Sequence, residues 1–315
     1  MTTTGQRVSM LRFLVTRLRD GFVVLLLVLV VVFFLSSVVG DPAEAMAPAD
    51  STPEQIQRLR EQLGTDKPLA EQAVDYFGGI AHGDFGESLW QQRPAIDPVR
   101  EALPATIYLS IAGIVAAAIL GTVAGIIAGT RPNGIFDRVA NMIAMAGISV
   151  PTFWLGMVLI VIFAVRLGWV PTSGNIGWKS IILPATAIGI EHGGRIFQLV
   201  RSGTFDELNK PYVLVARSKG LAGRVVVWKH ILRNAAVLII TTIGWEYVRL
   251  WGGAMIAVEV VFAWPGIGQL VINAADRQDF PVLQAGIIVA GLFVVLSNLV
   301  VDTFYRVVDR RLQVA

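Results

Sequence analysis

The sequence predicts an all-α, polytopic membrane protein of six transmembrane helices. Of its 315 residues, 54% are hydrophobic and only 16% charged, with a mean hydropathy of +0.64. Soluble domains carry close to a quarter charged residues, so this much apolar side chain has to face lipid as well as protein. The apolar residues gather in six runs, near 21–39, 104–129, 139–165, 181–200, 234–258 and 282–302. Each approaches the roughly 20 residues that a helix needs to cross the hydrocarbon. Backbone polar groups must be satisfied internally there, and continuous runs of this length achieve that as helices, whereas barrel strands are shorter and alternate.

Charge sets the orientation. Arg7, Arg12, Arg17 and Arg19 precede the first run, with Asp20 the only acid among them. Residues 40–103 reverse the balance, with twelve acids against five Lys/Arg. Residues 201–233 carry Arg201, Lys210, Arg217, Lys219, Arg224, Lys229 and Arg233 against Asp206 and Glu207, and the tail adds Arg306, Arg310 and Arg311. The positive-inside rule therefore makes 1–20, the 130–138 loop, 201–233 and 303–315 cytoplasmic and 40–103 extracytoplasmic. The basic start, the apolar run and Ala45-Met46-Ala47 also resemble a signal peptide. The run is longer than a usual signal core, and the reading is a retained first span. Trp169, Trp178 and Trp264 sit near outer boundaries as interface anchors, while Trp245 and Trp251 lie deeper and read as packing residues.

The outside segment has helix signals of its own. Thr52 followed by Pro53 and Gln55 makes an N-cap and capping box, with Gly64 as the stop. A second helix opens near Pro68 and closes at Gly78-Gly79. Its reading is a packed connector, with contact to a delivery partner or a lid as the alternatives.

The stretch Tyr212-Val213-Leu214-Val215-Ala216-Arg217-Ser218-Lys219-Gly220-Leu221 is the most informative. Pro211 opens a short helix, Gly220 allows the left-handed turn that closes it, and Arg217 and Lys219 suit its C-terminal dipole. On charge alone it is a basic loop held at headgroups. Its residue order, running on through Trp228-Lys229-His230-Ile231-Leu232-Arg233-Asn234-Ala235, resembles the EAA loop of ABC importer permeases of the dipeptide/oligopeptide type. So do Gly40-Asp41-Pro42, Leu63-Gly64-Thr65-Asp66-Lys67-Pro68, His82-Gly83-Asp84-Phe85-Gly86-Glu87-Ser88 and Leu103-Pro104-Ala105-Thr106. Glu259 to Gly268, with Trp264, Pro265 and Gly266 as an extracytoplasmic turn, Asp279-Phe280-Pro281, and Asn298 with Asp302, Tyr305 and Asp309 complete the order. Val215 replaces the loop's name-giving glutamate, and Arg310 replaces a usual proline.

The resemblance implies a type I (MetI-like) permease core over 104–311 in a bacterial inner membrane. It also implies that Tyr212, Val215, Ala216, Arg217, Lys219, Gly220 and Leu221 couple to an ATPase. The implied partners are a second homologous permease, two ABC ATPases or one fused ATPase that use ATP and Mg, and an extracytoplasmic binding protein. Short peptides are the implied cargo, with haem, nickel chelates or glutathione as alternatives. No nucleic acid is implied.

This chain has no phosphate loop of the G-x-x-x-x-G-K-[ST] kind. Gly121, Gly125 and Gly129 are spaced for close helix packing. There are no cysteines, and His82, His192 and His230 are scattered, so no metal site or catalytic group is expected. Ionisable residues do lie within the spans: Glu191, His192 and Arg195 in the fourth, Glu246 and Arg249 in the fifth. Glu191 with Arg195 and Glu246 with Arg249 have the spacing to pair on one helix face. They either line the path and meet the charged ends of cargo or form self-neutralised contacts with the partner permease. His192 reads as a satisfied packing residue. A secondary transporter would use the same acids for ion coupling, but no convincing internal repeat supports it, and an intramembrane enzyme would need a convergent group that is not evident.

Overall fold

The computed structural model describes residues 10–39, 43, 47, 51–64 and 66–308, and among them the regular elements are helices. Arg7, Gly40-Asp41-Pro42, Ala45-Met46, Thr65, Asp309, Arg310 and Arg311 lie outside the described residues, as do the side chains of Arg224, His230 and Tyr305. The chain divides into two compact units. One contains residues 10–106 and 265–296, the other 107–264 and, within the described range, 297–308.

The first unit opens with α1 (Met10–Val39), α2 (Pro53–Leu63) and α3 (Leu69–Ala81). Thr52 caps α2 reciprocally: Gln55 N–H donates to Thr52 Oγ1 and Thr52 N–H to Gln55 Oε1, at 3.4 and 2.8 Å. Gly64 ends it at φ 68°. Helix α3 runs past Gly78-Gly79 to Ala81, two residues beyond the predicted stop, and His82 Nδ1 lies 2.8 Å from the Gly78 carbonyl. Phe33 on α1 meets Tyr76 and Phe77 on α3, with ring centroids 5.3 and 6.0 Å away. Burial raises the Tyr76 phenol to about 12.

The unit also holds the start of α4 (Ile96–Thr130), α11 (Ile267–Asp276) and the start of α12 (Phe280–Val308). Ala95, Val99, Ala102, Ile267, Ala274, Val282 and Ala285 form its core. Two polar contacts pin distant segments together. Ser88 Oγ donates to Asp279 Oδ2 at 2.6 Å and Leu89 N–H to Asp279 Oδ1 at 3.2 Å. Ile267 N–H donates to Thr106 Oγ1 at 2.8 Å, a cap supplied from α4 to the first turn of α11.

In the second unit α4 lies against α7 (Ile182–Leu208). A Cβ on Gly121 would fall 2.6 Å from the Gly193 carbonyl oxygen, one on Gly125 2.9 Å from Val200 Cβ, and one on Gly129 2.7 Å from the Arg201 carbonyl oxygen. Backbones meet at these points, which is what small residues every four positions permit. Val115, Ile119, Val123 and Ile127 lie two residues off that stripe, 44–59% exposed within this chain. Such an apolar face calls for lipid or another apolar surface.

Two predicted spans are broken. Residues 139–165 form α5 (Ile135–Ser149) and α6 (Thr152–Leu159), the latter continuing as a wider π-type turn over Ile160–Arg166, and the axes bend by 110°. Pro151 has no N–H and forces its predecessor out of helical conformation; Val150 is extended at φ −91°, ψ 128°. Residues 234–258 form α9 (Leu232–Leu250) and α10 (Ala254–Val261), parted at Gly252-Gly253, where Gly253 takes φ 114°. The helix predicted over 181–200 continues to Leu208. By length and composition Ile96–Thr130 and Phe280–Phe304 can each cross a bilayer, and the bent pair adds one more if taken as a single span. The six-span count rests on the sequence pattern.

Gly125→Val is expected to destabilise the detergent-solubilised chain by about 1–3 kcal/mol through overpacking against Val200. A thermal melt reads this as a drop of several degrees, whereas Gly78→Ala, with open space around it, leaves the melt unchanged or slightly higher. Asp279→Ala strands the Ser88 hydroxyl and the Leu89 N–H, at a cost of about 1–3 kcal/mol. Faster limited proteolysis around residues 88–92 is the expected result.

Candidate functional site

The 201–233 segment builds a short surface helix, α8 (Pro211–Ser218). Pro211 stands at its first position, and Gly220 at φ 76° closes it. Gly220 N–H donates to the Arg217 carbonyl at 2.9 Å and Leu221 N–H to that of Ala216 at 3.3 Å. This nested pair is the Schellman closure. One face of α8 is buried: Val213 and Ala216 pack with Val226 and Ile231, and Tyr212 and Val227 flank them. Leu214 and Val215 are 73% and 54% exposed, beside exposed Arg217 and Lys219, with Leu221 just past the turn.

The helix is tied to the end of α7 through Glu207, which pairs with Lys210 and accepts from Tyr212 Oη at 2.6 Å. Burial pushes the Glu207 carboxyl up, but the bonds from Lys210 and Tyr212 outweigh it and leave it below its ordinary 4.5. Burial and the neighbouring carboxylate together raise Tyr212. Higher on α7, Arg201 forms a two-pronged pair with buried Asp137 at the start of α5.

The intramembrane charges form one cluster. Glu246 on α9 is 4% exposed. His192 Nδ1 lies 2.8 Å from its Oε2, Arg195 Nη1 3.5 Å from Oε2, and Arg249 Nη1 3.8 Å from Oε1. Glu191 accepts from Arg195 Nη2 at 2.9 Å and from the Thr152 hydroxyl. The helical spacing anticipates Glu191–Arg195 and Glu246–Arg249. It does not reveal that His192 and Arg195 cross from α7 to Glu246, or that Thr152 reaches Glu191, because those contacts depend on which helices pack together. His192 is not the satisfied packing residue expected: one ring nitrogen is paired, but Nε2 is buried without a partner among the described residues.

A cavity of about 590 Å³ adjoins this cluster, with Val150 to Thr152, Glu191, His192, Arg195, Arg249, Gly252 and Ala254 in its wall. Both helix breaks therefore open onto the same space.

The aromatic residues sort differently from expectation. Trp169 and Trp178 are 62% and 72% exposed. Trp264 is completely buried and stacks on Tyr108, centroids 6.3 Å apart, so it packs inside the protein and does not anchor at an interface. Its backbone N–H donates to the Glu259 carbonyl at 2.8 Å in a turn with Ala263 at φ 45°. Pro265 and Gly266 then lead into α11. Trp245 is 61% exposed rather than packed within this chain, and Trp251 meets Tyr247 edge to face at 6.4 Å.

Residues 121–314 match the family described as "Binding-protein-dependent transport system inner membrane component", and residues 10–110 match its N-terminal companion. The chain is 39% identical over 301 residues to the "Glutathione transport system permease protein GsiC" of Escherichia coli strain K12. The same identity holds for the protein of that name from Shigella dysenteriae serotype 1, and in each case 95% of this chain and 98% of the relative are covered. A chain from inward-facing structures of the MetNI methionine ABC transporter superposes with a TM-score of 0.56. It covers 67% of this chain and 96% of its own at 16% identity, a likeness of fold. The chain belongs to the binding-protein-dependent transport family, as a multi-pass inner-membrane permease subunit of an ABC importer.

Proposed function

We propose that this chain forms half of the translocation path of an ATP-driven importer of short peptides, and that α8 is where a separate ATPase grips it. The observation that carries the coupling role is the two-faced character of α8. Its inner face is packed on Val226 and Ile231, while Leu214 and Val215 face outward between cations. A helix held from behind that presents apolar side chains in a basic setting suits a protein cleft. The other half of the path comes from a second homologous permease. Two ATPases, or one fused ATPase, consume ATP with Mg, and an extracytoplasmic binding protein delivers cargo to the 40–103 side. Both termini are cytoplasmic, as the basic flanks require. Glu191, Glu246 and Arg249 line the path or its seam with the second permease. ATP binding shifts the assembly between two states of access, and α8 transmits that shift to the spans.

A second reading keeps the mechanism and takes glutathione as cargo. The names of the E. coli and Shigella relatives favour it, and glutathione is itself a small peptide. Gentle solubilisation of the tagged chain followed by mass spectrometry tests the assembly. A second six-span permease with one or two Walker-motif ATPases is the expected company, and recovery of the chain alone, folded and passing solute down an ion gradient, refutes the reading.

Gly220→Pro forces φ to about −65° where the structure has 76°, and it deletes the N–H that bonds Arg217. The expected outcome is ATP hydrolysis without uptake in a chain that still inserts and assembles; normal uptake contradicts the coupling role. Because Glu207 is held below its ordinary value, its stabilisation of α8 is full above that value and is lost as the pH falls through the lowered one. Hydrogen exchange at residues 212–221, corrected for intrinsic rates, should quicken as the pH falls below that ordinary value. Glu207→Gln should remove that dependence.

A further inference from the structure

The cavity between the helix breaks has more positive potential than its side chains alone provide. Glu191 and Glu246 are both engaged, by Arg195 and Thr152 and by His192 and Arg195. Arg249 is different. Its side chain is 55% exposed, its ionic contact to Glu246 is 3.8 Å, and its guanidinium makes no hydrogen bond among the described residues. At that separation the contact is not a hydrogen bond, so the guanidinium fork is open. Two helix starts add to it. Thr152 begins α6 and Ala254 begins α10, both residues are in the cavity wall, and neither helix has a side-chain cap. The first internal bonds come from Leu155 N–H to Pro151 and Ala257 N–H to Gly253, so the first-turn N–H groups of both helices have no intrahelical acceptor. Each start carries roughly half a positive charge. A second, independent observation is His192: its side chain is 2% exposed, it lies in the same wall, and its Nε2 has no partner among the described residues.

We propose that this cavity is a carboxylate-binding station for cargo, in which Arg249 takes the terminal carboxylate of a peptide with the broken starts of α6 and α10 and His192 behind it. Paired N–H donors from a planar guanidinium match a carboxylate. Half-helix starts at membrane depth are a physical means of holding an anionic group without a full counter-charge. A cavity of about 590 Å³ accommodates the end of a peptide or a whole tripeptide. This inference rests on the peptide-importer reading above and adds which end of the cargo the permease holds, and with what.

The test uses the whole importer in proteoliposomes with its binding protein outside, and compares ATP-driven uptake of labelled trialanine with that of trialanine amide. The binding protein contributes its own preference equally in every arm, so the readout is how the acid-to-amide ratio changes with the permease. Arg249→Gln should lower the ratio about tenfold, the loss of one charge-assisted carboxylate contact, and Arg249→Lys should restore part of it. Co-purification of the partner subunits confirms that each variant assembles. If Arg249→Gln lowers acid and amide alike, or neither, the peptide reading stands and the carboxylate station is refuted. If the wild-type importer hydrolyses ATP and moves neither peptide, the cargo reading itself has failed. Inhibition of uptake by inorganic phosphate as strong as that by unlabelled trialanine would make the cavity a general anion site and overturn its assignment to cargo.

Discussion

Close contact between α4 and α7 is the constraint on which the larger unit depends. Glycine at 121, 125 and 129 removes the side chains that would otherwise hold the two backbones apart, and the gap closes to carbonyl contact at Gly193 and Arg201. Lipid offers little hydrophobic reward for helix association, so contact of this kind has to come from shape. Once α7 is fixed, Glu191, His192 and Arg195 stand at a set height and rotation, and Arg201 is brought to Asp137 at the start of α5. The short surface helix α8 follows directly from the end of α7 and inherits that placement through Glu207.

The charge cluster shows how this architecture tolerates ionised groups away from water. Glu246 is almost fully buried and faces three cationic or cation-capable side chains from two helices. Removing one partner from such a group is far more damaging than the net worth of any single contact. The same region gives up continuous helix at Pro151 and at Gly253, leaving donors that a packed core would not leave. Non-helical backbone at this depth is tolerated where it lines a cavity or is buried in protein, and both breaks do line one.

Much of this was legible in the sequence. Apolar runs, glycine spacing and the Pro211 to Gly220 helix are local signals, and each is governed by residues within a few turns. Thr52 and Gln55 specify a cap because the whole device spans four residues. The misreadings share a different cause. Trp264 looks like an interface anchor when judged by distance from a span, yet Tyr108 and a turn at Ala263 enclose it completely. The 139–165 run passes a hydropathy test although Pro151 divides it, because hydropathy averages over a break that one missing N–H creates. His192 and Glu246 are 54 residues apart, and no periodicity links them. Only the packing of α9 on α7 brings them together.

The tie between residue 88 and residue 279 spans 191 positions, and that between 106 and 267 spans 161. In both, one segment supplies a hydroxyl and the other supplies the group that needs it. The short motifs that look independent along the chain are therefore halves of shared joints. Ser88, Asp279 and Thr106 enter these joints through their side chains, whereas position 267 supplies a backbone N–H that any residue but proline provides. A chimaera that took residues 82–106 from one permease and 259–281 from another would combine unmatched halves, even if each parent were sound. Moving either segment out of this chain keeps the joints whole only when its counterpart moves with it.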